Sequence, residues 1–469
     1  MNPSDRMGRD PVGKLLLEFS LPATASMLVS ALYSLADRIF IGRGAGIEGI
    51  AAATAAFPVM ILGMAVGMFF AAGSRAVASM ALGRGDREAA VEAVSRGTGA
   101  AFLASSLLSF AGWALARPLL SLFGAGPGIL EPAVEFLGIL LVGLPFQSAA
   151  LAAASALLVA GRPKASFAAN LAGTILNLIL DPLFIFVFRW GLAGAAAATS
   201  ICQVLSLALV LVLNRGGPSG FRIDPARLAP RGRILGSIVS VGLPIFLVHI
   251  VSTGIMITAN NAVRPYGGDL ALAVIGVVNT VGMVLSYPLY GITNGAQTLF
   301  GYNYGAGNFE RLKKLSALVG LWTFILAAAA ALVSVAAPGV LIRLFNDDPA
   351  LVALGSRALR IFMILSFLFP LEQLPSAYFQ STGRPLQAGI LMLSHNFAMI
   401  LGMLVLPAWF GFDGVCLAGP AADLVAALIG TALILRMGTE LRSTGPAYRT
   451  APQPVPHSGA ALLAEGPAA

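Results

Sequence analysis

The 469-residue chain is 57% hydrophobic and 11% charged, with a mean hydropathy of +0.85. A soluble domain carries about 25% charged residues, so this composition excludes a water-soluble globular protein and places most of the chain in a lipid bilayer. The formal charge of +8 would suit nucleic acid, but the basic excess lies in connections between apolar runs, where the positive-inside rule accounts for it; no nucleic-acid partner is expected.

The opening MNPSDRMGRDPVGK is polar, and the apolar run behind it is too long for a signal peptide and lacks a small-residue cleavage site. The first helix is therefore expected to stay in the mature chain. Gly8–Lys14, GRDPVGK, has the spacing of a phosphate-binding loop. Leu15 stands where a Ser or Thr would hold magnesium, and no strand precedes it, so nucleotide binding is rejected. Apolar segments near the length a bilayer needs fall at 15–40, 52–81, 92–116, 130–158, 165–188 and 191–213, then at 235–262, 271–300, 315–341, 354–379, 386–409 and 414–437. Twelve spans put both termini on one side. Connections on that side hold about nineteen Lys and Arg against about eight on the other, which predicts a multi-pass protein of the cell (inner) membrane with both termini cytoplasmic.

The chain repeats. Leu21-Pro22 recurs as Leu243-Pro244, Gly83-Arg84-Gly85 as Gly305-Ala306-Gly307, and Gly161-Arg162-Pro163 as Gly383-Arg384-Pro385, each 222 residues later. Two parallel repeats with an even number of spans share orientation and pack about an axis along the membrane normal. The expected fold is an all-α integral membrane protein of two six-helix bundles around a central cleft: an N-lobe at 1–214, a cytoplasmic linker at 215–233, a C-lobe at 234–440 and a disordered cytoplasmic tail at 441–469.

Within Asn170–Thr199, NLAGTILNLILDPLFIFVFRWGLAGAAAAT, two spans meet at a tight turn, Arg189-Trp190-Gly191, and the apolar run is broken at Asn177, Asp181 and Thr199. A carboxylate at the centre of a membrane helix costs about 2.5–3.5 kcal/mol even on lenient scales, which makes Asp181 a functional candidate. Asn177 lies one turn away on the same face. Pro182 cannot donate to the carbonyl of Leu178, so an amide, a carboxylate and a free carbonyl gather at one level and suit a bare cation or a proton. The plain alternative is a kink whose side chains satisfy each other. Asp37 near the outer end of the first span and Thr199 in the sixth lie at the same depth as Asp181, by helix rise. Under the 222-residue offset Asp37, Asn177 and Asp181 fall on Ala259, Met399 and Met403, so the second half has lost this cluster and one lobe is expected to keep the cation-type site.

The pattern of Pro22 with LY…AD ending at Asp37, the NLILDP box, the GLAGAAAAT opening and GAQTLFGYNYGAG at Gly295–Gly307 resembles the multidrug and toxic compound extrusion (MATE) family from about Leu15 to Met437. The resemblance implies a V-shaped cleft between the bundles and export of cationic or amphipathic drugs by proton- or sodium-coupled antiport, with no other cofactor. It assigns the cation site to Asp37, Asn177, Asp181 and Thr199, which would hold a proton or sodium ion, places Tyr33 in the adjoining drug pocket, and makes Pro22 the bend of the first helix. Branches with an acid in the seventh span differ, since Ala259-Asn260-Asn261 stands there.

Small-molecule drugs or organic cations are the expected partners, and a monomer the expected state. Glu372, between Pro370 and Pro375, is a second coupling or substrate acid, or a kink-associated Glu reaching cleft water. Asp423 has no partner evident in the sequence, and His249 and His395 are expected to bond backbone carbonyls. Cys202 and Cys416 read as small apolar filler, and the glycines of GAQTLFGYNYGAG as close packing and a tight turn. With no HExxH, GxSxG or acidic metal box, no enzyme activity is expected. The alternative function is a flippase for a lipid or a lipid-linked oligosaccharide, which would require Arg75 and Arg96 to line the central cavity.

Overall fold

The computed structural model describes residues 5–123, 125–215, 222–266, 268–345 and 347–443. The tail expected to be disordered lies outside the described residues from 444 onward, as does the linker at 216–221. The spans are α1 (Val12–Gly46), α2 (Glu48–Gly83), α3 (Arg87–Ala114, turned by 78° into Ala116–Leu122), α4 (Pro127–Val159), α5 (Pro163–Val187), α6 (Gly191–Arg215), α7 (Arg233–Val263), α8 (Leu270–Gly305), α9 (Phe309–Ala336), α10 (Pro349–Ser381), α11 (Pro385–Phe410) and α12 (Phe412–Leu441). Among the described residues eleven are long and apolar enough alone, and the bent α3, counted as one span, makes twelve. Among the described residues there is no strand.

The repeat is visible in the backbone. Gly161 and Gly383 take φ of 74° and 76° at equivalent turns before α5 and α11, a conformation open to glycine because it lacks a Cβ. Between α1 and α2 the helical path is interrupted at Gly46, with φ of 67°. Pro22 sits inside α1, where no residue before Gly46 leaves the helical region.

The apolar cores show how the lobes meet. At the end away from the linker, Ile41, Leu137, Leu144 and Ile185 form a core drawn only from α1–α6. Val263, Val278, Leu359 and Met403 form another drawn only from α7–α12. At the linker end the lobes share cores: Leu15, Leu16 and Phe19 of α1 pack with Leu299, Phe300 and Tyr378, and Ile238 of α7 packs with Val94 and Ala156. Met7 and Leu441 belong to one cluster, so the two ends of the described chain lie at the same end of the bundle. The lobes thus share cores at the linker end and, among the described residues, keep separate cores at the far end.

Glycine makes the join possible. A Cβ added at Gly83 of α2 would fall on the carbonyl oxygen of Tyr302, and one added at Gly305 of α8 on that of Met80. These glycines are repeat equivalents, and each lets the facing backbone approach. On the same axis, Arg75 donates to Oε1 of its own repeat equivalent, Gln297, whose Nε2 donates to Gln380 Oε1 at 3.0 Å. Contact between equivalent residues is what a two-fold axis between parallel repeats requires.

Substituting Gly305 by Ala should weaken this closed end by about 1–3 kcal/mol, the usual cost of overpacking. Thiol labelling of a cysteine introduced at Ser79, which is 0% exposed and packs beside Gly301 of α8, should become faster in that background. Unchanged labelling would show that the seam does not depend on the close approach.

Candidate functional site

The fifth span is inverted relative to a soluble amphipathic helix: its polar stripe faces protein and its apolar stripe faces outward. Asn177, Asp181 and Ile185 recur every four residues and are 3%, 0% and 3% exposed, whereas Ile175, Leu178 and Ile179 are 48%, 42% and 58% exposed. In a bilayer the exposed apolar side chains meet lipid, so the helix must turn its amide and carboxylate inward. Pro182 ends the regular α-helix, and Leu183–Val187 continues as one π turn. Such turns leave backbone groups off the regular ladder and recur at functional positions. The tight turn at Arg189-Trp190-Gly191 is present, with Arg189 at φ 59° and Gly191 at φ 54°.

These elements bring the sequence candidates of the first lobe together. Asn177 Nδ2 donates to Thr199 Oγ1 of α6 at 3.4 Å. From α1, the Asp37 carboxyl meets that of Asp181, and the Tyr33 hydroxyl adjoins Thr199 and both carboxyls. Among the described residues, neither carboxylate oxygen of Asp181 has a well-formed hydrogen bond, nor does Oδ1 of Asn177. Three buried acceptor atoms thus lie one helical turn apart without a well-formed hydrogen bond among the described residues. Native interiors almost always satisfy such atoms, and leaving one bare costs about 1–3 kcal/mol. Cys202, read from the sequence as apolar filler, sits beside Asn177 and is 5% exposed, so it borders this pocket; its position three residues after Thr199 is the signal that could have placed it there. Cys416 does pack as filler, 1% exposed in the far-end core of the second lobe.

At the repeat-equivalent positions Met399, Met403 and Ala259 are buried in apolar surroundings, so the acid pocket has no copy in the second lobe.

A family model described as MatE matches residues 22–183 and 244–405. The two matches lie 222 residues apart and together cover more than half of the chain. The chain belongs to the MatE family. Its similarity to curated relatives is distant but runs end to end. The "Multidrug export protein MepA" of Staphylococcus aureus (strain bovine RF122 / ET3-1) is 23% identical over 428 residues, covering 91% of this chain and 94% of the relative. The protein of that name from Staphylococcus haemolyticus (strain JCSC1435) is 24% identical over 430 residues, with the same coverage. Among solved structures, MATE in the bent conformation superposes with a TM-score of 0.86 at 23% identity, covering 95% of this chain and 99% of that one. A MOP superfamily transporter from Pyrococcus furiosus, described as having a reversed binding-pocket polarity, superposes with a TM-score of 0.83 at 25% identity over 93% of this chain and 98% of that one.

In this MatE chain the second lobe carries its own polar group, at positions that are not the repeat equivalents of Asp37, Asn177 and Asp181. Glu372 is 6% exposed and lies in the first turn of Phe369–Ser381, the part of α10 that follows a break at Ser366–Leu368. It is in electrostatic contact with His395 of α11 and Asp423 of α12. His395 Nε2 lies 3.4 Å from Asp423 Oδ1, so His395 pairs with a carboxylate rather than with the expected backbone carbonyl, and Asp423 has the partner the sequence did not reveal. Tyr290 of α8 stands beside both acids. No periodicity links positions 372, 395 and 423, because they lie on three helices that only packing brings together.

Asp181→Asn should raise thermal stability in detergent by about 1–3 kcal/mol, since the new amide donates to Asp37 and one unsatisfied carboxylate is removed. A thermal midpoint that falls instead would show that Asp181 supports the fold through a bond of its own.

Proposed function

We propose that the chain is a secondary multidrug exporter that moves cationic or amphipathic compounds outward in exchange for a proton or a sodium ion by alternating access. Membership of the MatE family and end-to-end similarity to multidrug export proteins support the transport class. The observation that carries the coupling is the pair of oxygens on Asp181, fully buried, facing Asp37 and, among the described residues, without a well-formed hydrogen bond. Two carboxylates in a low-dielectric pocket repel, and a positive charge is the missing component. Asp181 is the main cation acceptor, Asp37 transmits occupancy to α1, and Asn177 and Thr199 supply neutral oxygens. The donor set fits a proton or a hard monovalent cation, both of which oxygen ligands serve. Tyr33 places an aromatic ring and a hydroxyl between that pocket and the cleft. The coupling cation enters from the end away from the linker and the compound from the linker end, with both termini in the cytoplasm.

The flippase alternative loses its support at the arginines. Arg96 pairs with Glu92 and donates to the carbonyl of Arg231 in the linker. Arg75 is held by Gln297 in the seam between the lobes. Neither supplies a cationic cleft wall for pyrophosphate.

The test is efflux of a fluorescent cationic dye from proteoliposomes under an imposed pH gradient and, separately, a sodium gradient. The wild type should export dye with one of them, and Asp181→Asn should fall to the level of protein-free vesicles while remaining folded. Undiminished gradient-driven efflux by the variant would remove the coupling assignment.

A further inference from the structure

We propose that Arg75 is a fixed positive barrier on the axis between the lobes, which repels cations inside the closed seam and so prevents their uncoupled flow to the linker end. The proposal rests on the antiport reading for its purpose, but its electrostatics stand without it.

The place of Arg75 follows from the repeat. Gly73 of α2 faces Ile238 of α7, and its equivalent Gly295 of α8 faces Phe19 of α1. These equivalent contacts lie on opposite sides of the two-fold axis and close the seam laterally. Arg75 and its own equivalent, Gln297, meet on the axis itself, two turns or about 12 Å along α2 from Gly83. The direct route through the seam therefore passes the guanidinium. Arg75 and Gln297 are both half-buried, whereas Ser74, Ala76, Ala296 and Thr298 beside them are buried, so these two side chains face what space the axis leaves.

The charge is not needed for the bond. A glutamine at position 75 would donate to Gln297 equally well, without desolvating a guanidinium. Among the described residues no charged group acts on Arg75, whose polar side-chain partner is an amide. At the same end of the bundle Arg6 is paired with Asp10 and Glu18, and Arg384 with Glu440. One uncompensated positive charge thus stands where exact repetition of the second lobe would leave none. The amides around it are turned to hold it: Gln297 accepts from Arg75 through Oε1, and its Nε2 donates to Gln380 Oε1 at 3.0 Å.

Packing alone does not make this seam inhospitable to a cation. Between Arg75 and the linker end it is hydroxylic: Ser79 and Ser381 both stand beside Gly301 and are 0% and 1% exposed. Hydroxyls and carbonyls can replace the hydration of a small cation or relay a proton, and a membrane potential negative at the cytoplasmic side draws either inward. A fixed cation in a low-dielectric passage opposes that pull, as an arginine does in a pore that must exclude cations. Because Arg75 belongs to one lobe and Gln297 to the other, separating the lobes at the linker end breaks their contact and carries the charge off the axis with α2. The barrier is then present only while the seam is closed.

The experiment measures passive flux into proteoliposomes of the full chain, with no dye present, under an imposed inside-negative potential. Sodium and proton entry through the wild type should stay near that of protein-free vesicles. Arg75→Gln should raise cation entry about tenfold, the factor expected for a unit charge acting across about 10 Å in a partly screened medium. Chloride entry under the opposite potential, and urea entry, should not rise. Arg75→Lys should remain tight, and the exchange Arg75→Gln with Gln297→Arg, which returns the charge from the other side of the axis, should restore tightness. Vesicles of Arg75→Gln as tight as wild type overturn the proposal, as does a leak that admits cations, chloride and urea alike, since that is a gap and not a charge barrier. A leak in Arg75→Lys equal to that in Arg75→Gln also overturns it. Gln297→Glu, which leaves Arg75 in place and neutralises it across the axis, serves should Arg75→Gln fail to fold: it too should admit cations, and tight vesicles there overturn the proposal. A wild type that moves no dye under either gradient refutes the antiporter, and the passive fluxes still decide Arg75.

Discussion

Everything else in this molecule depends on the close backbone approach of α2 and α8 at the linker end. Gly83 and Gly305 face the carbonyls of Tyr302 and Met80, and the contact between Arg75 and Gln297 marks the same axis. In lipid the hydrophobic effect does not drive helices together, so association relies on contact distance and on hydrogen bonds between buried polar groups. Small residues on the axis provide the first, and the Arg75–Gln297–Gln380 chain the second. Toward the other end the two lobes keep separate cores.

Duplication imposes symmetry on the scaffold and leaves the sites free of it. The turns at Gly161 and Gly383 are nearly identical in φ, and the seam residues pair across the axis. The ionisable groups follow no such rule. Asn177 and Asp181 are matched by Met399 and Met403, packed in an apolar core, while Glu372, His395 and Asp423 of the second lobe are matched by Ala150, Gly173 and Ile201. A scaffold position is constrained by its symmetric partner. A site position answers only to the pocket around it and can diverge once the fold is secure.

The pocket around Asp181 is organised against stability. A carboxylate pair buried among apolar helices is an arrangement that folding alone does not favour. Its persistence in a helix whose other face is apolar is the physical reason for reading it as a place where charge arrives and leaves, in line with the general rule that buried strain and unsatisfied groups collect at functional positions.

Much of the architecture was legible in the residues themselves. Apolar runs of bilayer length gave twelve spans, the 222-residue offset gave the repeat, and the spacing of Asn177 and Asp181 put both on one helix face, because each of these is a local or periodic property of the chain. Depth along a span is also countable, which is why Asp37, Asp181 and Thr199 could be placed at one level. Helix-to-helix adjacency is neither periodic nor local. The pairing of His395 with Asp423, the approach of Glu372 to both, the entry of Cys202 into the acid pocket and the lack of a well-formed hydrogen bond at Asp181 depend on how twelve helices rotate about their own axes when packed. That rotation is decided by interdigitating side chains and close glycine contacts summed over the whole interior, a quantity no single stretch of sequence contains.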